Sequence, residues 1–340
     1  MELADGPTRE ARAVNEACDT RSGTVVGHES HPYHDSEREW SETNCYIDVW
    51  IELLHRAGLE VAPLLPFTLA GDFEGDQWTF YKPPHSDLWL LYGIDVVELT
   101  LWKGLVEHCA AQVGRGRIPL VEVDSYYLPD TLGRDYQRSH TKTTVGIETI
   151  DPLHETLRYF HNRALFELAG ADFRGLFGLD DRVDPARLSP YCEIVKLDRV
   201  RRRSRADLRR LSLELLRTHR ARCPEANPIT RYAERVEADL RALIEDDPEA
   251  YDLYAFASIR QCGSGFGFAA DYLAWLAEEE PAWAVAAEWF ARISSSASML
   301  VLKMARIVHS GRLRDLQQNF EEMATAWQRG MEAVDRGLAG

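Results

Sequence analysis

The sequence predicts an α+β protein, in which a short helix and an antiparallel sheet precede an all-helical bundle. Three observations predict it. An amphipathic helix is headed by Cys45 in "SETNCYIDVWIELLHRAG". A series of short, alternating, β-branched runs then occupies 118–170. From about 204 to 336 the apolar residues recur with a period near 3.6.

Residues 1–38 are polar and without period, and read as a flexible or loosely docked lead-in. The spacing of Tyr46, Val49, Trp50, Leu53, Leu54 and Ala57 then predicts a helix over 45–57, ended by Gly58. A second helix is expected over 98–113, "ELTLWKGLVEHCAAQV", ended by "GRGR".

"IPLVEVDSYYL" (118–128) is β-branched and aromatic, and Pro129-Asp130 stops it. "HTKTTVGIETI" (140–150) alternates as a strand does and ends at Asp151-Pro152. "TLRYFHN" (156–162) and "ALFELAG" (164–170) read as two strands joined by a tight turn. Beyond them come "RADLRRLSLELLRTH", "ITRYAERVEADLRALIED", "AADYLAWLAEEEPAWAVAAEWFARI" and "LRDLQQNFEEMATAWQRGMEAV", punctuated by Pro224, Pro228, Pro248 and Pro281. The domain reading is a lead-in to 38, a core domain over 39–198 and a helical domain over 199–340.

Composition narrows the function classes. With 45% hydrophobic residues and nine tryptophans the chain can bury a sizeable core. No run is long and apolar enough for a membrane span, and the N-terminus lacks a basic start and an apolar signal core, so a cytoplasmic protein is expected. A net charge of −16 argues against nucleic-acid binding. Six scattered cysteines form no CxxC pair, so neither a disulfide framework nor a zinc cage is expected. "HESHPYH" (His28, His31, His34) could chelate a metal, but reads as a His-rich tail, and no metal is expected.

Cys45 has two readings. It is a small apolar residue closing a helix end, or a nucleophile biased toward thiolate by the helix dipole. As a nucleophile it would find oxyanion donors in the first amides of the helix, including that of Tyr46, and in the Asn44 side chain. A thiolate mechanism also needs a base and a group that orients it. His140 opens the strand in "RSHTKTTVGIETI", and Asn162 closes another in "RYFHN"; neighbouring antiparallel strands could bring them together. Both also read as ordinary loop and turn residues. His161 faces away from Asn162 if the strand is regular, so only one of the two can face His140.

Residues 43–170 resemble an uncharacterised bacterial family associated with nonribosomal-peptide and other natural-product pathways. The matching stretches are "TNCYIDVWIELLH", "DFEGDQWTFYKPP", "LWLLYGIDV", "VEVDSYYLPDT", "SHTKTT" and "YFHN". More distantly, the layout is similar to the butirosin-pathway acyltransferase and the bacteriocin-leader cysteine peptidases, both papain-like. The resemblance implies a papain-like core with Cys45 as nucleophile and His140 as base. The orienting residue in those relatives is usually Asp; Asn162 stands at the aligned position, with Asp151 as the fallback.

Acidic and aromatic residues cluster in "GDFEGDQWTFYK" and "EVDSYYLPD". A carboxylate there could bind the ammonium of an aminoacyl group or an amine acceptor, which makes Asp76 and Asp124, with Trp78 and Tyr127, the expected substrate-binding residues. A solvated sheet face and an acidic loop would look the same. "CGSGFGF" (262–268) lacks the GK[ST] ending of a phosphate loop and reads as small residues permitting close helix packing. Residues 199–222 hold ten arginines against Asp207 and Glu214. Arg201, Arg202 and Arg203 could dock an acidic acyl or peptidyl carrier protein, or simply cover a solvated helix face.

These readings lead to a cysteine-dependent acyltransferase moving an aminoacyl group from a carrier-protein thioester to a small amine acceptor. No cofactor is expected beyond the carrier's phosphopantetheine arm. An amidase or peptidase using the same residues, or a non-catalytic carrier-binding scaffold, are the competing classes.

Overall fold

In a computed structural model of the chain, residues 28–179 and 190–339 are described. They belong to two compact units.

The first unit spans 96–198 with residues 28–30, and is built on a six-stranded sheet. Its strands are β1 (Asp95–Glu98), β2 (Ile118–Asp124), β3 (Lys142–Asp151), β4 (Thr156–His161), β5 (Ala164–Ala169) and β6 (Tyr191–Lys196). Their order across the sheet is β1-β6-β2-β3-β4-β5. Neighbours from β6 through β5 are antiparallel, and β3, β4 and β5 form a meander with an irregularity between Ile147 and Thr149. Val121, Val123, Val145, Ile147, Leu157 and Tyr159 share one face. There they join Leu105, Val106 and Cys109 of α3 (Leu105–Val113) and Phe173, Leu176 and Phe177 of α4 (Ala171–Phe177) in one core. Each such side chain contributes on the order of 1.5–3 kcal/mol by leaving water.

The second unit spans 31–95 and 199–339. Its N-terminal part holds α1 (Cys45–Arg56), a nine-residue 3₁₀ segment (Ala62–Ala70) and α2 (His85–Tyr92). Its C-terminal part holds α5 (Arg205–Arg220), α6 (Pro228–Asp246), α7 (Tyr251–Ala255), α8 (Gln261–Ala277), α9 (Ala284–Ser310) and α10 (Gln317–Ala339). The helix headed by Cys45 precedes the sheet in sequence, yet it is grouped with the C-terminal helices. All of 46–54 is buried, including Asp48 and Glu52.

Two local expectations are corrected. The helix expected over 98–113 starts at Leu105, because Asp95–Glu98 is a strand and Gly104 precedes the helix. The strand expected to reach 128 stops at Asp124, whose side chain accepts from the Tyr126 N–H and turns the chain into a 3₁₀ turn, Ser125–Tyr127. As the punctuation by Pro281 predicts, the run "AADYLAWLAEEEPAWAVAAEWFARI" is two helices, separated by a turn at Pro281–Trp283.

The described end of the lead-in is docked rather than loose. His34 is only 3% exposed, Arg38 pairs with Asp271 at 2.5 Å, and the Trp40 indole donates to Ser294 at 2.9 Å. Residues 1–27 lie outside the described chain. "CGSGFGF" forms the first turns of α8: a Cβ on Gly263 would stand 2.5 Å from Trp40 and 2.7 Å from Ala297, and one on Gly267 2.9 Å from Ser294. Close packing against α9 is what these glycines permit. Among the described residues no helix is long and apolar enough to cross a membrane.

Candidate functional site

In the sheet unit, the β2/β3 ladder pairs Asp124 with Lys142, and the Ser125 N–H donates to the Thr141 carbonyl at 2.9 Å. This returns the chain so that His140, two residues before the rung, lies over Asp124. His140 Nδ1 donates to Asp124 Oδ2 at 2.7 Å, with side-chain exposures of 25% and 3%. The other oxygen, Asp124 Oδ1, accepts from the Tyr126 N–H at 3.1 Å. The Tyr126 ring stacks on the imidazole, centroids 4.4 Å apart and 8° from parallel. An imidazole that donates Nδ1–H to a buried carboxylate is held in the tautomer whose Nε2 accepts protons. The arrangement can do general-base chemistry.

In the helical unit, Cys45 is the first residue of α1 and half-buried. Asn44 caps the helix: its Oδ1 accepts from the Ile47 N–H at 3.1 Å, and its carbonyl from the Asp48 N–H at 3.1 Å. The Asn44 amide donates to the Tyr81 carbonyl at 3.1 Å and to Gln261 Oε1 at 3.4 Å. Tyr46 is buried, its hydroxyl 3.0 Å from His85 Nε2 and its ring 4.3 Å from the Lys82 ammonium.

A buried ionic cluster lies on the same helix. His34 Nδ1 is 2.5 Å from Glu52 and Nε2 is 3.5 Å from Asp48, which also accepts from the Thr43 N–H and hydroxyl at 2.8 and 2.6 Å. Burial opposes a charge on His34, but the hydrogen bonds and charges of Asp48 and Glu52 outweigh it, pushing its pKa up to about 9. His31 beside it is pushed the other way, down to about 4, by burial and by His55.

Residues 29–197 match the DUF1839 N-terminal domain, and residues 205–336 the DUF1839 C-terminal domain. The chain belongs to the DUF1839 family. No curated protein matches it.

Seen in this DUF1839 chain, the remaining expected site residues divide sharply. Asn162 does not orient His140. It sits in the β4–β5 turn with φ +46°, a left-handed conformation that asparagine tolerates. Asp151 is at the far end of ten-residue β3, about 30 Å from the His140 end at 3.3 Å per residue, and it bonds the exposed His154 at 2.6 Å. The carboxylate found at His140 Nδ1 is instead that of Asp124, whose two oxygens are engaged by the imidazole and by the Tyr126 N–H.

Trp78, expected at the substrate, is 3% exposed and sits among Phe73, Tyr232 and Phe266 in the core of the helical unit. Asp76 is exposed in the turn before it. Tyr127 packs against Gly175, where a Cβ would stand 2.3 Å from the ring. The Asn44 amide, expected as an oxyanion donor, is already engaged by Tyr81 and Gln261.

The arginines expected to dock a carrier are turned onto helix ends. Arg202 donates to the carbonyls of Ala57 and Gly58 at 2.8 and 3.2 Å, closing α1. Arg203 donates to those of Leu90 and Leu91 at 3.1 and 2.9 Å, closing α2. Arg201 lies 5.0 Å from the Trp89 ring centre. Arg209, buried further along, donates to Trp275 and Leu276 at the end of α8. Carbonyls left over at a helix C-terminus carry partial negative charge, and guanidinium groups satisfy them.

Sequence reasoning missed the Asp124–His140 pairing and the His34 cluster. The first had a signal in the strand pairing, since a ladder of "VEVD" with "TKTT" places the carboxylate of Asp124 beside His140. The second had none, because nothing in "HPYH" says that it is buried. Among the described residues there is no group of three or more His, Cys, Asp or Glu that could hold a metal ion.

Proposed function

We propose that the chain is a cysteine-dependent acyltransferase. Cys45 attacks the carbonyl of an aminoacyl thioester on a carrier protein, and the phosphopantetheine thiol leaves. An amine then attacks the Cys45 thioester, His140 takes the proton from the amine nitrogen, and the Cys45 thiol is regenerated. Asp124 holds the imidazole in the accepting tautomer and stabilises the imidazolium that forms.

The observation that carries the reading is the buried Asp124 at 2.7 Å from His140 Nδ1, beneath a stacked Tyr126. A second support is the position of Cys45 as first residue of a capped helix. The resemblance to papain-like acyltransferases of natural-product pathways supplies the reaction class; a cytoplasmic setting is the expectation from the sequence composition. Docking through Arg202 and Arg203 is not part of the proposal, because both close helices.

The test is incubation with alanyl-pantetheine thioester and a small primary amine. Formation of the alanyl amide, abolished by Cys45→Ala and by His140→Gln, supports transfer. Free alanine formed with the same residue dependence makes the protein a hydrolase instead. Equal rates in the wild type and Cys45→Ala rule out both enzymatic readings.

A further inference from the structure

A second histidine–aspartate pair lies one rung along the same ladder. Val123 pairs with Thr143 beside the Asp124–Lys142 rung, and strand alternation sends the two rungs' side chains to opposite faces. The Thr143 hydroxyl donates to His161 Nε2 at 2.8 Å, and His161 Nδ1 donates to Asp130 Oδ2 at 2.5 Å. The Tyr159 hydroxyl donates to Asp130 Oδ1, also at 2.5 Å. Burial works against a charge on Asp130, but the charge and hydrogen bond of His161 hold its carboxyl below the usual range.

The order hydroxyl, imidazole, carboxylate is that of a hydrolase triad, yet this one is closed. Thr143 is 8% exposed, His161 1%, and the Asp130 side chain 4%. No substrate carbonyl reaches Thr143, so the relay has another use. Its carboxylate belongs to the connection between β2 and β3, the segment that also carries Tyr126. That segment is tied internally by Ser125 to Asp135 at 2.9 Å, by Thr131 to the Ser125 and Leu128 carbonyls, and by the Gln137 N–H to the Tyr126 carbonyl at 3.0 Å. Tyr127 on Gly175 and Tyr136 on Asp172 attach it to α4. Asp130 attaches it to β4 through two donors, His161 and Tyr159, and His161 in turn meets Thr143 of β3.

We infer that Asp130, clamped by His161 and Tyr159, is a positioning residue that keeps Tyr126 stacked on His140 and so keeps His140 turned toward Asp124. The inference deepens the proposed function and rests on His140 being its base. A buried carboxylate with two close donors resists displacement, because moving it leaves both a charge and its donors uncompensated. Stacked rings at 4.4 Å leave the imidazole little freedom to rotate.

The experiment reads a proton shift rather than turnover. Beneath the Tyr126 ring the carbon-bound protons of His140 are displaced upfield; Tyr126→Leu and His140→Gln assign the signal in the full chain. Asp130→Asn is expected to lose that displacement as Tyr126→Leu does, while methyl signals of Val121 and Val145 in the sheet core stay in place. If Asp130→Asn does not fold, Tyr159→Phe removes one donor and is expected to lose part of it. An unchanged displacement in either folded variant overturns the inference. Loss of the displacement in a protein that transfers no acyl group leaves the inference standing and removes only the proposed function.

Discussion

Asp124 and His140 meet because the β2/β3 ladder aligns Asp124 with Lys142, not because of the long connection between them. The carboxylate ends β2, accepts the Tyr126 N–H on one oxygen and holds the imidazole at 2.7 Å on the other. Replacing it with the isosteric amide keeps the shape and removes the charge that fixes the tautomer. Asp124→Asn is expected to lower kcat for alanyl-pantetheine thioester by about 10²-fold or more with little change in KM. A KM effect alone would return Asp124 to substrate binding.

Arg202 and Arg203 are expected to act on stability. Each caps a helix through two carbonyls, so alanine at either position is expected to destabilise by about 1 kcal/mol, more at half-buried Arg203 than at exposed Arg202. Urea unfolding measures this. Unchanged midpoints would mean that the guanidinium groups are available for another purpose.

His34 makes the helical unit sensitive to alkaline pH. Its folded pKa, pushed up to about 9, exceeds the ordinary 6.5, so the stabilisation is fully present below 6.5 and is lost as pH rises through 9. The groups facing it are Asp48 and Glu52 of α1 and, more distantly, His31. Unfolding free energy is expected to fall between about 6.5 and 9, and His34→Gln is expected to flatten that slope. An identical slope in the variant would place the alkaline sensitivity elsewhere.

Gly263→Ala opposes two effects. Alanine favours a helix over glycine by about 1 kcal/mol, but here its Cβ would meet Trp40 at 2.5 Å and Ala297 at 2.7 Å. Overpacking of this kind costs about 1–3 kcal/mol, so net destabilisation is expected in thermal unfolding. Stabilisation would show that Trp40 moves aside at little cost.

Much of the architecture could be read from the residues. The β3–β4–β5 meander follows from alternation and tight turns, and α5, α6 and α10 from their apolar period. Other features had no local signature. The six-residue β6 pairs with β2, far upstream, and no turn chemistry links them. Grouping α1 with the C-terminal helices depends on long-range burial, which period and propensity do not encode.

At the site, His140 stood out as a polar-loop histidine at a strand start. Its partner was misread because alternation was carried through 126, whereas Asp124 itself ends the strand by capping Tyr126. Charge was misleading too: an arginine run states how many cations are present, not whether they face solvent or helix ends. Trp78 shows the same limit, since an aromatic beside acidic residues looks the same in a cleft and in a core.

The most direct measurement of the central claim is the intact mass of the protein after a brief incubation with alanyl-pantetheine thioester in the absence of amine. The account predicts a mass increase of one alanyl group, mapped to Cys45 by peptide analysis, absent in Cys45→Ala and formed more slowly in His140→Gln. Equal labelling of the wild type and Cys45→Ala, or none in either, would contradict it.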